Sequence, residues 1–149
     1  MRINKFKIII DSNEFAKGKS WTFPSNVQTT VRSLLKAGCD YSIANQVGTI
    51  GVERKSYNDY VRCLGADRKR FAKQIAKLRH NKYCAIIVEA DIDSPIYSGS
   101  MMTLDAVIAG TAKITALGVP VLFASNRHNA SALCLQFFKE ALKRVQDGF

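Results

Sequence analysis

Asp40 and the run Glu53-Arg54-Lys55 are the residues of this 149-residue sequence whose types and spacing could do chemistry. On a strand, alternation would send Glu53 and Lys55 to one face and Arg54 to the other. Asp40 precedes a short apolar segment. A turn near Gln46–Gly48 would fold that segment into a hairpin and set Asp40 beside Glu53. Two facing carboxylates can hold Mg²⁺, a hard cation that takes oxygen ligands and keeps several of its waters. A lysine beside such an ion can orient or deprotonate an attacking water and stabilise charge growing on a phosphate. The chemistry this set predicts is metal-dependent hydrolysis of a phosphodiester. The plainer alternative is an exposed strand end carrying three charges, because ExK triplets are common. The apolar GTIGV that leads into the charges favours the first reading. It puts them at the mouth of a buried strand, where ligands of open α/β sheets gather.

Further residues fall near this set. Asp11 ends the apolar FKIIID, with Glu14 one turn on. Asp11 is a candidate third metal carboxylate, and its alternative is a helix or turn cap. Asp59 follows Lys55 by four residues, one turn into the next helix, where it could pair with Lys55 or Arg54 or join the site. The segment Asp67–Arg79 carries Lys69, Arg70, Lys73 and Lys77 within about 100° of helical arc, opposite a Phe71–Ile75–Leu78 stripe. With Arg68 these make a face that could track DNA phosphates or simply be solvated. Gln74, at the edge of the stripe, could reach the active site or cap a backbone group. Trp21 and Tyr60 could stack on unpaired bases, although packing in a core or hinge explains both.

The elements that must position these residues can be read from the apolar pattern. Strands are expected at Phe6–Asp11, near Tyr41–Ala44, and at Gly48–Lys55, Cys84–Glu89 and Val119–Ala124. The last two are apolar without alternation, as strands covered on both faces are. A helix is expected from Ser25 to Gly38, with a capping-box pair Ser25/Gln28 and a Val27–Val31–Leu34–Leu35 stripe. Others are expected at Tyr57–Leu64, Asp67–Arg79, Met102–Leu117 and Ala130–Val145. The alternation predicts an α/β fold, a central mixed sheet flanked by helices, in one domain spanning residues 1–149.

The composition agrees with a polyanion partner. Lys and Arg number 22 against 12 Asp and Glu, a net charge of +10. Such an excess displaces the counterions condensed on phosphates. Cys39, Cys63, Cys84 and Cys134 form no CxxC pair, and with only two histidines no zinc pattern arises. Cys84 and Cys134 read as reduced core residues. No apolar run reaches the length of a membrane span. The basic-then-apolar start MRINKFKIII is too short for a signal peptide and reads as a first strand, which predicts an intracellular protein, cytoplasmic if its source is prokaryotic or viral.

The stretch GCDYSIANQVGTIGVERKSYNDYVRCL resembles the signature of the XPF-type structure-specific endonucleases: a Gly-Asp pair, a variable gap, then ERK, three residues and Asp. Asp40, Glu53-Arg54-Lys55 and Asp59 fall on its positions. IIIDSNEF resembles the family's upstream DxxE segment and places Asp11 and Glu14. RFAKQIAKL and CAIIVEAD resemble the following helix and strand, with Gln74 at the family's glutamine, and VPVLFASNRHNASALCLQFF resembles the last strand and helix. The resemblance implies a restriction-endonuclease-like fold, dependence on Mg²⁺ or Mn²⁺, and cleavage of branched or flap DNA near single-strand/double-strand junctions. It implies a homodimer or pairing with another nuclease-family subunit, Asp40, Glu53 and Asp11 as metal ligands, and Lys55 as the catalytic lysine. Cys39 stands where the family has Gly, and the family's tandem helix-hairpin-helix module has no counterpart in the 149 residues. The competing expectation is a catalytically inactive nuclease-fold module that binds DNA or a nuclease partner. The intact Asp11, Asp40, Glu53 and Lys55 favour an active enzyme. The C-terminal helix carries more apolar positions (Leu133, Leu135, Phe137, Phe138) than one core face needs, which fits either a dimer contact or burial on two sides of its own domain.

Overall fold

A computed structural model describes residues 5–148. The β-branched run Ile8–Ile10 forms strand β1 (Lys7–Asp11). After a one-turn helix α1 (Ser12–Ala16) come β2 (Gln28–Arg32), β3 (Tyr41–Ile43) and β4 (Ile50–Lys55). Helices α2 (Tyr57–Leu64) and α3 (Arg68–Leu78) lead to β5 (Tyr83–Val88). Helix α4 (Leu104–Ala116), β6 (Val121–Phe123) and α5 (Arg127–Asp147) complete the fold. The six strands form one mixed sheet in the order β2-β1-β3-β4-β5-β6. Strand β3 runs antiparallel to β1 and β4, and the other neighbours are parallel. The carboxyl ends of β1, β4 and β5 and the start of β3 therefore share one edge of the sheet.

The sheet is covered on both faces, as its non-alternating strands require. On one side Tyr60, Val61, Phe71, Ile75, Val107 and Ile114, from α2, α3 and α4, pack on Ile9, Ile86 and Val88. On the other, Ala130, Cys134, Leu135, Phe138 and Leu142 of α5 pack on Ile8, Ile10, Val52 and Ile87. Leu133 and Phe137 are half-buried against this second core, so the extra apolar positions of α5 have partners within their own domain. All four cysteines are buried and unbridged. No helix among the described residues is long and apolar enough to cross a membrane.

One element differs in kind from the sequence reading. The segment expected as a helix from Ser25 to Gly38 instead holds strand β2, paired in parallel register with β1 from Lys7↔Gln28 to Asp11↔Arg32. The β-branched Thr29-Thr30-Val31 disfavours a helix and suits the open edge that β1 offers. The apolar stripe was misleading because it buries little: Leu34 is buried, but Val31 and Leu35 stay exposed. The hairpin between β3 and β4 forms as expected. Its turn uses Asn45 and Gly48, both at positive φ.

Candidate active site

The sheet edge brings Asp40 between Asp11 and Glu53 through main-chain bonds. Asp11 N donates to Asp40 O (2.8 Å), and Asp40 N donates to Val52 O (3.0 Å). The Asp40 side chain then accepts from the backbone N–H of Arg54, at 2.9 Å to Oδ2. Beyond the Tyr41↔Val52 pair, a carboxylate thus takes the place of a strand carbonyl beside β4. Cys39 fits here because its neighbour on β4 is Gly51. A Cβ built on Gly51 would lie 3.0 Å from Cys39 Sγ and 3.1 Å from its Cβ. The absent side chain at 51 leaves room for Cys39.

Alternation along β4 places the triplet as expected. Glu53 and Lys55 point into a cleft of about 470 Å³, which Asp11, Asp40, Asp59 and Gln74 also line. Lys55 Nζ lies 3.7 Å from Glu53 Oε1 and 5.5 Å from the centre of the Phe71 ring. Desolvation raises the pKa of both Asp40 and Glu53. Asp40's charge pushes Glu53 further up. Burial on its own would lower the Lys55 pKa, but the surrounding negative charge, Glu53 first, raises it, and the side chain remains an ammonium. The Cys39 thiol at the cleft wall is pushed up to about 12 by burial and then by Glu53, so it is not a nucleophile.

Arg54 points the other way, into a buried ion network. Its Nε donates to Glu89 Oε1 (2.7 Å), and its terminal nitrogens reach Glu89 Oε2 (3.2 Å) and Glu14 Oε1 (3.3 Å). Glu14 is buried and Oε2 has no hydrogen-bond partner among the described residues. Burial raises the Glu14 pKa, the Asp40 charge raises it further, and Arg54 opposes both. Asp11 caps α1, accepting from Asn13 N (3.1 Å), and accepts from Leu34 N (2.7 Å) after β2; it also lines the cleft. Asp59 lines the cleft while pairing with Arg62 (3.6 Å).

The basic run of α3 divides. Arg70 and Lys77 line the cleft with Gln74, joined by Arg62 from α2 and by Lys17. Arg68 and Lys69 line a separate shallow recess with Arg70, and Lys73 lines neither. Trp21 and Tyr60 are core residues. Trp21 stacks on Tyr41 with ring centres 4.6 Å apart, and the Tyr60 hydroxyl bonds to Thr111. Sequence reasoning missed Glu89, Lys17 and Arg127. The signal for Glu89 was present, an acid closing the apolar run CAIIV as Asp11 closes FKIII. Arg127, at the start of α5, lies 3.7 Å from Glu89 Oε1 and carried no such mark.

Among the described residues no group of three or more His, Cys, Asp or Glu side chains forms a metal cage. Mg²⁺ is commonly held by only one or two carboxylates with water and substrate phosphate completing its shell, and Asp40 and Glu53, which line one cleft, could serve as those carboxylates.

The fold is α/β, a six-stranded mixed sheet between helices with acidic groups gathered where strands end. In fold it is similar to solved XPF structures, which places it among restriction-endonuclease-like folds. XPF from Aeropyrum pernix matches with a TM-score of 0.70 at 21% identity, over 91% of this chain and 61% of that one. XPF from the same organism in complex with DNA matches with a TM-score of 0.71 at 20% identity, over 93% and 66%. The chain thus spans less than two thirds of either structure. No protein-family model and no curated protein matches the sequence.

Proposed function

We propose that the protein is a metal-dependent DNA endonuclease whose active site is Asp40, Glu53 and Lys55. The observation that carries this reading is a half-buried carboxyl pair with a lysine ammonium beside it, in a cleft also lined by Lys17, Arg62, Arg70 and Lys77. Asp40 and Glu53 would hold Mg²⁺ or Mn²⁺, which when bound supplies Lewis-acid charge at a phosphate oxygen and acidifies a water. The cleft cations bind the DNA backbone on either side of the scissile phosphate. Lys55, kept as an ammonium and steadied by Glu53 and the Phe71 ring, orients the attacking water and stabilises charge on the phosphate. Arg54 holds Asp40 in place through its backbone N–H. Asp11 shapes the same wall as a capping group and adds negative charge beside the pair.

DNA as the polymer is supported by the charge of +10 and by the neighbour solved with DNA. Branched or flap DNA as the substrate, and pairing with a second nuclease-fold subunit, follow from the resemblance of the Asp–ERK–Asp segment. The test is to incubate labelled duplex, flap and single-stranded DNA with the protein in Mg²⁺, Mn²⁺ or EDTA. Cleavage with either metal and none in EDTA is expected, fastest on the flap. Binding without cleavage in both metals at low salt would make the protein an inactive nuclease-fold module.

A further inference from the structure

We infer that Glu89 is a positioning residue for the Asp40 carboxylate, acting through Arg54 from the far side of β4. The inference rests on the reading of Asp40 given above. Glu89 directly follows β5, its side chain is only 11% exposed, and both its oxygens are used. Oε1 accepts from Arg54 Nε (2.7 Å) and from the Trp21 indole Nε1 (2.6 Å), and Oε2 accepts from Arg54 (3.2 Å). A two-point bond of a planar guanidinium to a carboxylate fixes orientation as well as charge. Glu89 N also donates to Lys55 O (2.9 Å), so the main chain of β4 is held on both sides of this contact.

Arg54 therefore joins two carboxylates on opposite faces of the sheet. Its side chain is clamped by Glu89, and its N–H donates to Asp40 Oδ2 at 2.9 Å. On that flank the strand pairing of β4 with β3 has already ended at Val52. No neighbouring strand carbonyl accepts from the Arg54 N–H there, and the clamped side chain adds to the hold that the parallel ladder to β5 provides on the other flank. Trp21 and Arg127 tie the same point to the loop before β2. Trp21 donates to Glu89, while Arg127 lies 3.7 Å from it and donates to the carbonyls of Lys19 and Ser20. Groups that orient a metal-binding carboxylate from behind commonly matter to metal affinity about as much as a weak ligand does.

The test compares the wild type with Glu89→Gln, which keeps shape but loses charge and half the clamp. Trp21→Phe removes only the indole bond while keeping a ring on Tyr41. Amide hydrogen exchange at Arg54 is expected to accelerate about tenfold in Glu89→Gln relative to the amides of β1, with Mn²⁺ affinity falling about tenfold. In cleavage, kcat should fall while KM for DNA holds. Trp21→Phe should shift each readout in the same direction by less, and it carries the test if Glu89→Gln does not fold. If either folded variant loses only thermal stability, with Arg54 exchange and Mn²⁺ affinity within twofold of wild type, Glu89 merely neutralises a buried arginine and the inference is wrong. If the wild type binds no Mn²⁺ and cuts no DNA, the nuclease reading fails, while exchange at Arg54 still decides whether Glu89 positions Asp40.

Discussion

The backbone N–H of Arg54 lies 2.9 Å from Asp40 Oδ2, so the middle residue of the charged triplet serves the cleft with its main chain and the buried ion network with its side chain. That division separates the triplet into two groups that face the chemistry and one that holds them there.

Loss of either side of the cleft floor should remove activity while sparing binding. Asp40→Asn and Lys55→Ala are each expected to lower the cleavage rate by at least roughly 100-fold, the scale of losing one transition-state charge contact. Affinity for DNA in Ca²⁺ or EDTA should change less than about threefold. Gel-shift and single-turnover cleavage on the same substrate check this, and normal cutting by Asp40→Asn would refute the assignment.

The same carboxyl pair should cost stability. Burial raises the pKa of Asp40 and Glu53, so the folded chain holds protons there that the unfolded chain releases. Stability is therefore lost as pH rises above the ordinary carboxylate range near 4. In EDTA at pH 8, Asp40→Asn is expected to raise the melting temperature by about 2–4 °C, for roughly 1 kcal/mol of relieved repulsion. The gain should shrink toward pH 4 and on adding Mg²⁺. Calorimetry would show it, and an equal or lower melting temperature at pH 8 would contradict it.

The cleft wall divides the basic residues by function. Arg70→Ala with Lys77→Ala should weaken DNA binding irrespective of sequence and flatten the salt dependence of log K by about 2 units, near 0.9 per lost phosphate contact. Lys69→Ala with Lys73→Ala removes the same charge away from the cleft and should change the slope by less than half as much. Equal slopes for the two pairs would mean that net charge, rather than this wall, binds DNA.

Gly38 should be intolerant of a side chain. Its φ is +71°, and an added Cβ would sit 2.6 Å from Lys77 Cβ. Gly38→Ala is expected to cost about 1–3 kcal/mol from backbone strain, plus displacement of α3. Because Gly38 and Lys77 both line the cleft, cleavage should fall further than stability alone explains. Urea unfolding beside kcat/KM measures both effects.

Much of the site was legible because it is local. Asp40, Glu53 and Lys55 occupy a single hairpin, and the period-2 alternation of one strand decides which of them face together. The buried strands β4 and β5 and the helices α2, α3 and α5 were legible too, since long apolar runs and stripes that meet a core are strong signals. Strand β2 was not. Its helix-like stripe and its β-branched residues disagreed, and the free edge of β1 resolved the conflict.

By itself, then, the sequence determined the charged triplet, its alternation, the basic excess and the layered α/β plan, because these depend on residue type and near spacing. Only the tertiary structure decided that Glu89, Trp21 and Arg127 meet behind Arg54, and that Asp11 both caps α1 and accepts from Leu34 N. It also decided that Arg70 and Lys77, but not Lys73, face the cleft. Those relationships join residues up to 108 positions apart, as between Arg127 and Lys19. Contacts at such range are set by how the sheet edge closes and how the helices pack on it, which no local pattern encodes.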